Sequence, residues 1–168
     1  MKDQDHILVL EDDEEQVEFF VEMIMAQVSV LLDDPEITQS HKTRLKNLSI
    51  IKVTNVSSLN TVVEKYDSAV LAILDGNVPD REGGFPKDQF IKSNHRITGQ
   101  HASVDRVYKG MQGTPIILTS SMDRFKIIVA SYYRKFKDLD LRFVRKGDLD
   151  GLNSAIFKHL KAMEESID

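Results

Sequence analysis

The feature that most constrains this chain is an alternation of two patterns. Five short apolar or β-branched runs, at 7–10 ("ILVL"), 49–56 ("SIIKVTNV"), 69–74 ("AVLAIL"), 115–119 ("PIILT") and 141–144 ("LRFV"), are separated by stretches with apolar residues at helical spacing. Short runs of this kind suit strands buried on both faces, because water reaches neither side of such a strand. The helical stretches carry Val17, Phe20, Val21, Ile24, Val28 and Leu31, then Leu59, Val62, Val63 and Tyr66, with Ser57 or Ser58 as cap. Further on come Phe125, Ile128, Val129, Tyr132, Tyr133 and Phe136, and finally Leu152, Ile156, Leu160, Met163 and Ile167, with Asp148 or Asp150 near the start. Strands alternating with helices imply βαβ units, whose right-handed crossovers build a parallel sheet with helices on both faces.

Two segments are longer than the alternation needs. Residues 33–48 place Asp34 and Pro35 at cap and first-turn positions of an extra helix or extended turn, with Ile37, Leu45 and Leu48 at rough helical spacing. Residues 85–113 are polar and basic; a third crossover helix is expected around Asp88–Ile91 or Ser103–Met111, and a loop over the rest.

A length of 168 residues gives room for one sizeable core, so a single domain over 1–168 is expected. With no cysteine, the chain has no disulfides and no thiol nucleophile. The absence of a membrane-length apolar run or signal-peptide pattern makes a cytoplasmic protein the expectation. No G-x-x-x-x-G-K-[ST] occurs, which excludes a P-loop nucleotide enzyme. The net charge of −5 argues against nucleic acid as a partner, and its distribution is uneven. Residues 1–22 hold nine acids against one lysine, whereas 124–146 is rich in lysine and arginine.

In a doubly wound parallel sheet, ligands bind beyond the carboxyl ends of the strands. Here those ends carry Glu11-Asp12-Asp13, Asp75, Thr119-Ser120-Ser121 and Lys146. Clustered carboxylates repel unless a proton or cation joins them, and a hard divalent ion, magnesium above all, takes oxygen ligands of this kind. A lysine and a hydroxyl opposite are donors suited to a phosphoryl group, and an aspartate oxygen is a competent nucleophile toward phosphorus. Taken singly each motif has a plainer reading. Asp75 fits a turn with Gly76 and Asn77, Asp13–Glu15 fit a helix N-terminus, and Phe143 fits the core.

Together, "ILVLEDD" at 7–13, "ILDGNVPDREG" at 73–83, "PIILTSS" at 115–121 and "FVRKG" at 143–147 resemble the receiver domain of two-component response regulators, of the single-domain chemotaxis-regulator kind. The resemblance covers nearly the whole chain. It implies a flavodoxin-like α/β fold, three layers deep, with a five-stranded parallel sheet of order 2-1-3-4-5. It further implies that Asp75 accepts a phosphoryl group from a histidine kinase or histidine phosphotransfer protein. By the same resemblance Asp12, Glu11 (through water), Asp75 and the Asn77 backbone carbonyl would hold Mg2+ (or Mn2+). Lys146 matches the family's lysine, Ser120 its hydroxyl with Thr119 as the alternate register, and Phe143 its switch aromatic.

The chain departs from the family in Gly147, where a proline usually follows the lysine, and in the insertions at 33–48 and 85–113. The implied activity is phosphorelay signalling through protein–protein contact, by a monomer or weak dimer that catalyses at most its own phosphorylation and dephosphorylation. No output domain, nucleic acid or membrane partner is expected. Two other functions share these residues: a phosphorylation-independent adaptor, and an aspartate-nucleophile phosphohydrolase. The second needs an aspartate two residues after the nucleophile, where this chain has Asn77.

Overall fold

In the computed structural model, the described residues are 4–79, 81–83, 87–88, 90–93, 96–121 and 136–163. They form β1 (His6–Leu10), α1 (Glu14–Asp33), α2 (Gln39–Lys46), β2 (Ser49–Val53), α3 (Val56–Lys65), β3 (Leu71–Asp75), β4 (Asn77–Val78), β5 (Lys87–Asp88), β6 (Phe90–Ser93), β7 (Arg96–His101), α4 (Ala102–Gly110), β8 (Ile116–Ser120), β9 (Leu141–Arg145) and α5 (Leu149–Ala162). The main sheet runs β2-β1-β3-β8-β9 with every pair parallel. Counted within that sheet alone, the order is the expected 2-1-3-4-5; the labels jump because four short strands intervene.

Side chains alternate across each strand, and the two sets feed two cores. Leu8, Leu10, Ala72, Leu74, Ile116 and Leu118 pack with Leu59 of α3 and with Val104 and Val107 of α4. Ile7, Val9, Ile73 and Ile117 pack on the other face with Phe20 and Ile24 of α1 and with Leu152 and Ile156 of α5. Each such valine, leucine, isoleucine or phenylalanine contributes about 1.5–3 kcal/mol of burial, which is why the alternation of patterns governs the architecture. The third crossover is short of space: a Cβ on Gly110 would lie 1.9 Å from Val63 Cγ1, so only glycine lets α4 approach α3 this closely.

Local boundaries correct several expectations. Asp34 does not cap a second helix; it ends α1, its N–H donating to the Leu31 carbonyl. Pro35 is the cause, because the residue before a proline is pushed out of the helical region, and Asp34 sits at ψ 118°. Thr38 caps α2 instead, accepting from the His41 N–H. Asn55 caps α3 through the Ser58 N–H at 2.8 Å, ahead of both expected serines. Asp148 caps α5. Of the two places for the third crossover helix, the one at Ser103–Met111 holds as α4, since Val104, Val107 and Met111 share a buried face. At the other, the described residues fall in β5 and β6, and the expected loop contains β5 and the β6–β7 hairpin.

The 33–48 insertion proves to be a clasp. Ile37 and Leu45 join the α1/α5 core, and His41, fully buried, donates from Nε2 to the Leu160 carbonyl at 2.9 Å. Arg44 forks onto both oxygens of Asp5 at 2.8 Å and also donates to the Met163 carbonyl. The expected helix carrying Phe125, Ile128, Val129, Tyr132 and Tyr133 lies outside the described residues, as does Ile167. No helix among the described residues is long and apolar enough to cross a membrane.

Candidate functional site

Because all five strands run the same way, their carboxyl ends share one edge of the sheet. Glu11 directly follows β1, Asp75 closes β3, Ser120 closes β8 and Lys146 directly follows β9. The parallel ladders hold them there: Asp75 pairs with Thr119, and Ser120 with Arg145. Lys146 also donates its backbone N–H to the Ser120 carbonyl at 3.0 Å. Gly147, at φ +94°, turns the chain immediately afterwards in a region that favours glycine.

Lys146 Nζ reaches across the edge to two acids, 2.9 Å from Glu11 Oε2 and 3.0 Å from Asp75 Oδ2. Glu11 and Asp75 are 1% and 3% exposed, so these are buried carboxylates in need of partners. Asp75 Oδ1 accepts from the Asn77 N–H at 3.1 Å, and Glu11 Oε1 from the Asp13 N–H at 3.1 Å. Asp13 itself turns to α1, capping it through the Glu15 and Gln16 amides, which is the role its position suggested.

One carboxylate oxygen from each of Glu11, Asp12 and Asp75 lies within 4.8 Å of the others. Burial pushes the Asp75 carboxyl above its usual range, despite the opposing pull of the Lys146 charge. Burial also raises Glu11, with the Asp75 charge adding to it, and raises Asp12, with help from a hydrogen bond to Glu11. Burial would lower Lys146, but the charge of Asp75 and the hydrogen bond and charge of Glu11 outweigh it, and Lys146 is held above its usual value. Three carboxylates against one ammonium leave two negative charges uncompensated. A hard divalent cation with oxygen ligands supplies that balance, and the donor set fits one.

These groups line a cleft of about 220 Å3 that also includes Asn77 and Ser120. Ser120 borders it, while Thr119 is fully buried and does not, so of the two registers it is Ser120 whose residue faces the cleft. Phe143 is partly buried in the α3/α4 core, beside Leu118. Ser121, the last of the strand-end hydroxyls, lines the cleft as well, and so does Gln16, which the strand ends do not single out. The signal for Gln16 was its spacing, one helical turn beyond Asp12. A larger cleft of about 800 Å3, bordered by His6, Tyr66 and His159, lies at the opposite end of the strands. Size does not mark the chemistry here, for the smaller cleft holds the clustered acids.

A three-layer α/β domain with acids, a hydroxyl and a lysine on the carboxyl edge of its sheet defines the class, and its fold is that of response regulator receiver domains. No family model matches the chain, and no curated protein matches it. Solved structures do match. A CheY-like response regulator receiver domain protein from Methanospirillum hungatei aligns at a TM-score of 0.58 and 13% identity, over 97% of this chain and 98% of that one. A response regulator receiver domain protein from Bacillus halodurans aligns at 0.55 and 9% identity, over 94% and 97%. An adenylate cyclase structure from Rhodopirellula baltica aligns at 0.52 and 8% identity, over 96% and 93%.

Proposed function

We propose that this chain is a phosphoacceptor receiver in a two-component phosphorelay, taking a phosphoryl group on Asp75 from a phosphohistidine of a kinase or phosphotransfer protein. One observation carries the reading: Lys146 bridges Asp75 and Glu11 at the strand edge that also presents Asp12 and Ser120. An Asp75 carboxylate oxygen attacks phosphorus in line. The new O–P bond forms as the N–P bond breaks, and the departing imidazole keeps the bonding pair and takes up a proton. Lys146 meets the charge that develops on the phosphoryl oxygens, and the Ser120 hydroxyl donates to another of them.

Glu11, Asp12, Asp75 and the Asn77 carbonyl would hold magnesium or manganese, which when bound neutralises the crowded carboxylates and the incoming phosphoryl oxygens. Inward movement of Ser120 and a rotamer change at Phe143 would carry the signal to a protein partner. Asn77 stands where a phosphohydrolase of this kind needs its general acid, which argues against turnover of free phosphoesters.

The experiment is magnesium-dependent labelling by acetyl phosphate. Wild type is expected to label, and Asp75→Asn to stay unlabelled under the same conditions. Labelling that persists in Asp75→Asn would remove the assignment.

A further inference from the structure

Thr119 is fully buried, and its Oγ1 finds no hydrogen-bond partner among the described residues. Buried hydroxyls are nearly always paired, and valine would fill the same space without an orphaned polar atom. The neighbouring strand shows the apolar alternative, since Val144 sits beside Thr119 in the ladder. On the other side Thr119 pairs with Asp75. Strand alternation puts both on the face that buries Ile73 and Ile117, across β8 from Ser120. The orphaned hydroxyl therefore lies beside the one carboxylate whose hydrogen bonding must change during function.

In the resting site both Asp75 oxygens have donors, Oδ1 from the Asn77 N–H and Oδ2 from Lys146. Once Asp75 is phosphorylated, Lys146 is drawn toward the phosphoryl oxygens, and the Asn77 N–H is left as the protein donor to the Asp75 side chain. The Thr119 hydroxyl has no hydrogen bond among the described residues to give up, and a χ1 rotation redirects it. We propose that Thr119 is a positioning residue whose hydroxyl is held in reserve and donates to the carbonyl oxygen of Asp75 in the phosphorylated state. The inference rests on the receiver reading above.

The test compares wild type with Thr119→Val, which removes the hydroxyl at nearly constant shape, and Thr119→Ser, which keeps it. Beryllofluoride affinity in saturating magnesium, the half-life of the acetyl-phosphate label and unliganded thermal stability are measured for all three. Thr119→Val is expected to be at least as stable as wild type, yet to bind beryllofluoride roughly 2- to 10-fold more weakly, the worth of one neutral hydrogen bond, and to lose its label faster by a similar factor. Thr119→Ser is expected to restore both. A valine variant that matches wild type in affinity and half-life, or a serine variant that fails as the valine does, overturns this role and leaves the receiver reading standing. A wild type with neither saturable response nor label overturns both.

Discussion

Lys146 and Asp75 are 71 residues apart in the chain, yet the ammonium of one lies 3.0 Å from the carboxylate of the other. The contact is made by side chains leaving the carboxyl ends of β3 and β9, which β8 separates in the sheet. It leaves the site short of positive charge, because Lys146 must serve Glu11 as well.

Replacing Lys146 by methionine keeps the aliphatic stem and removes the charge, stranding two buried carboxylates. Breaking a fully buried pair costs about 3–5 kcal/mol. The Lys146 side chain is 26% exposed, so about 1–3 kcal/mol is expected after solvent screening. Urea unfolding at neutral pH measures it. A variant as stable as wild type would mean that the contact is not maintained in solution.

The acids make the opposite prediction for pH. Folding raises Glu11 above its ordinary 4.5 and Asp75 above 3.8, so the folded state binds more protons than the unfolded one between those values and the folded-state values. These groups' contribution to stability is therefore greatest at low pH and is lost as pH rises through the folded-state values. Lys146, raised above 10.5, keeps its contribution throughout that window. Thermal unfolding in chelator across pH should show this decline, and millimolar magnesium should cancel it.

Asp12→Asn removes one of the crowded charges and one ligand of the proposed ion. It is expected to raise stability in chelator and to abolish the stabilisation that magnesium gives wild type. A magnesium-induced rise in Tm equal to that of wild type would count against Asp12 as a ligand.

At the α3–α4 contact, Gly110→Ala forces a methyl group into Val63. Overpacking of this kind costs about 1–3 kcal/mol. Val63→Ala in the same chain should recover most of that loss, and the double-mutant cycle in urea reads the coupling directly.

The clasp at α2 predicts a local effect. Arg44→Ala deletes the fork to Asp5 and the contact with the Met163 carbonyl. Hydrogen exchange should quicken at the C-terminal turn of α5, with a global loss of about 1–2 kcal/mol. Exchange unchanged in that turn would show that α2 does not restrain it.

Strand and helix identities were readable because burial imposes periods of two and 3.6 on any chain that must hide a sheet between helices. The strand-end acids were readable for a related reason: an apolar run that stops at a carboxylate has few uses for it. Helix starts were harder to read. Asn55 and the two serines after it are all good caps, and the choice among them came from the extended backbone at Asn55. The hairpin at 90–101 lacked the simple alternation that would have announced it.

By itself, then, the sequence determined the layered fold and the cast of Glu11, Asp12, Asp75, Ser120 and Lys146, because local periodicity and charge placement are properties of short stretches. Only the tertiary structure decided that Lys146 serves two acids, that Ser120 borders the cleft and that Thr119 is sealed behind it. Those outcomes depend on register between strands far apart in the chain. In a strand, a shift of one residue exchanges the face toward one core for the face toward the other.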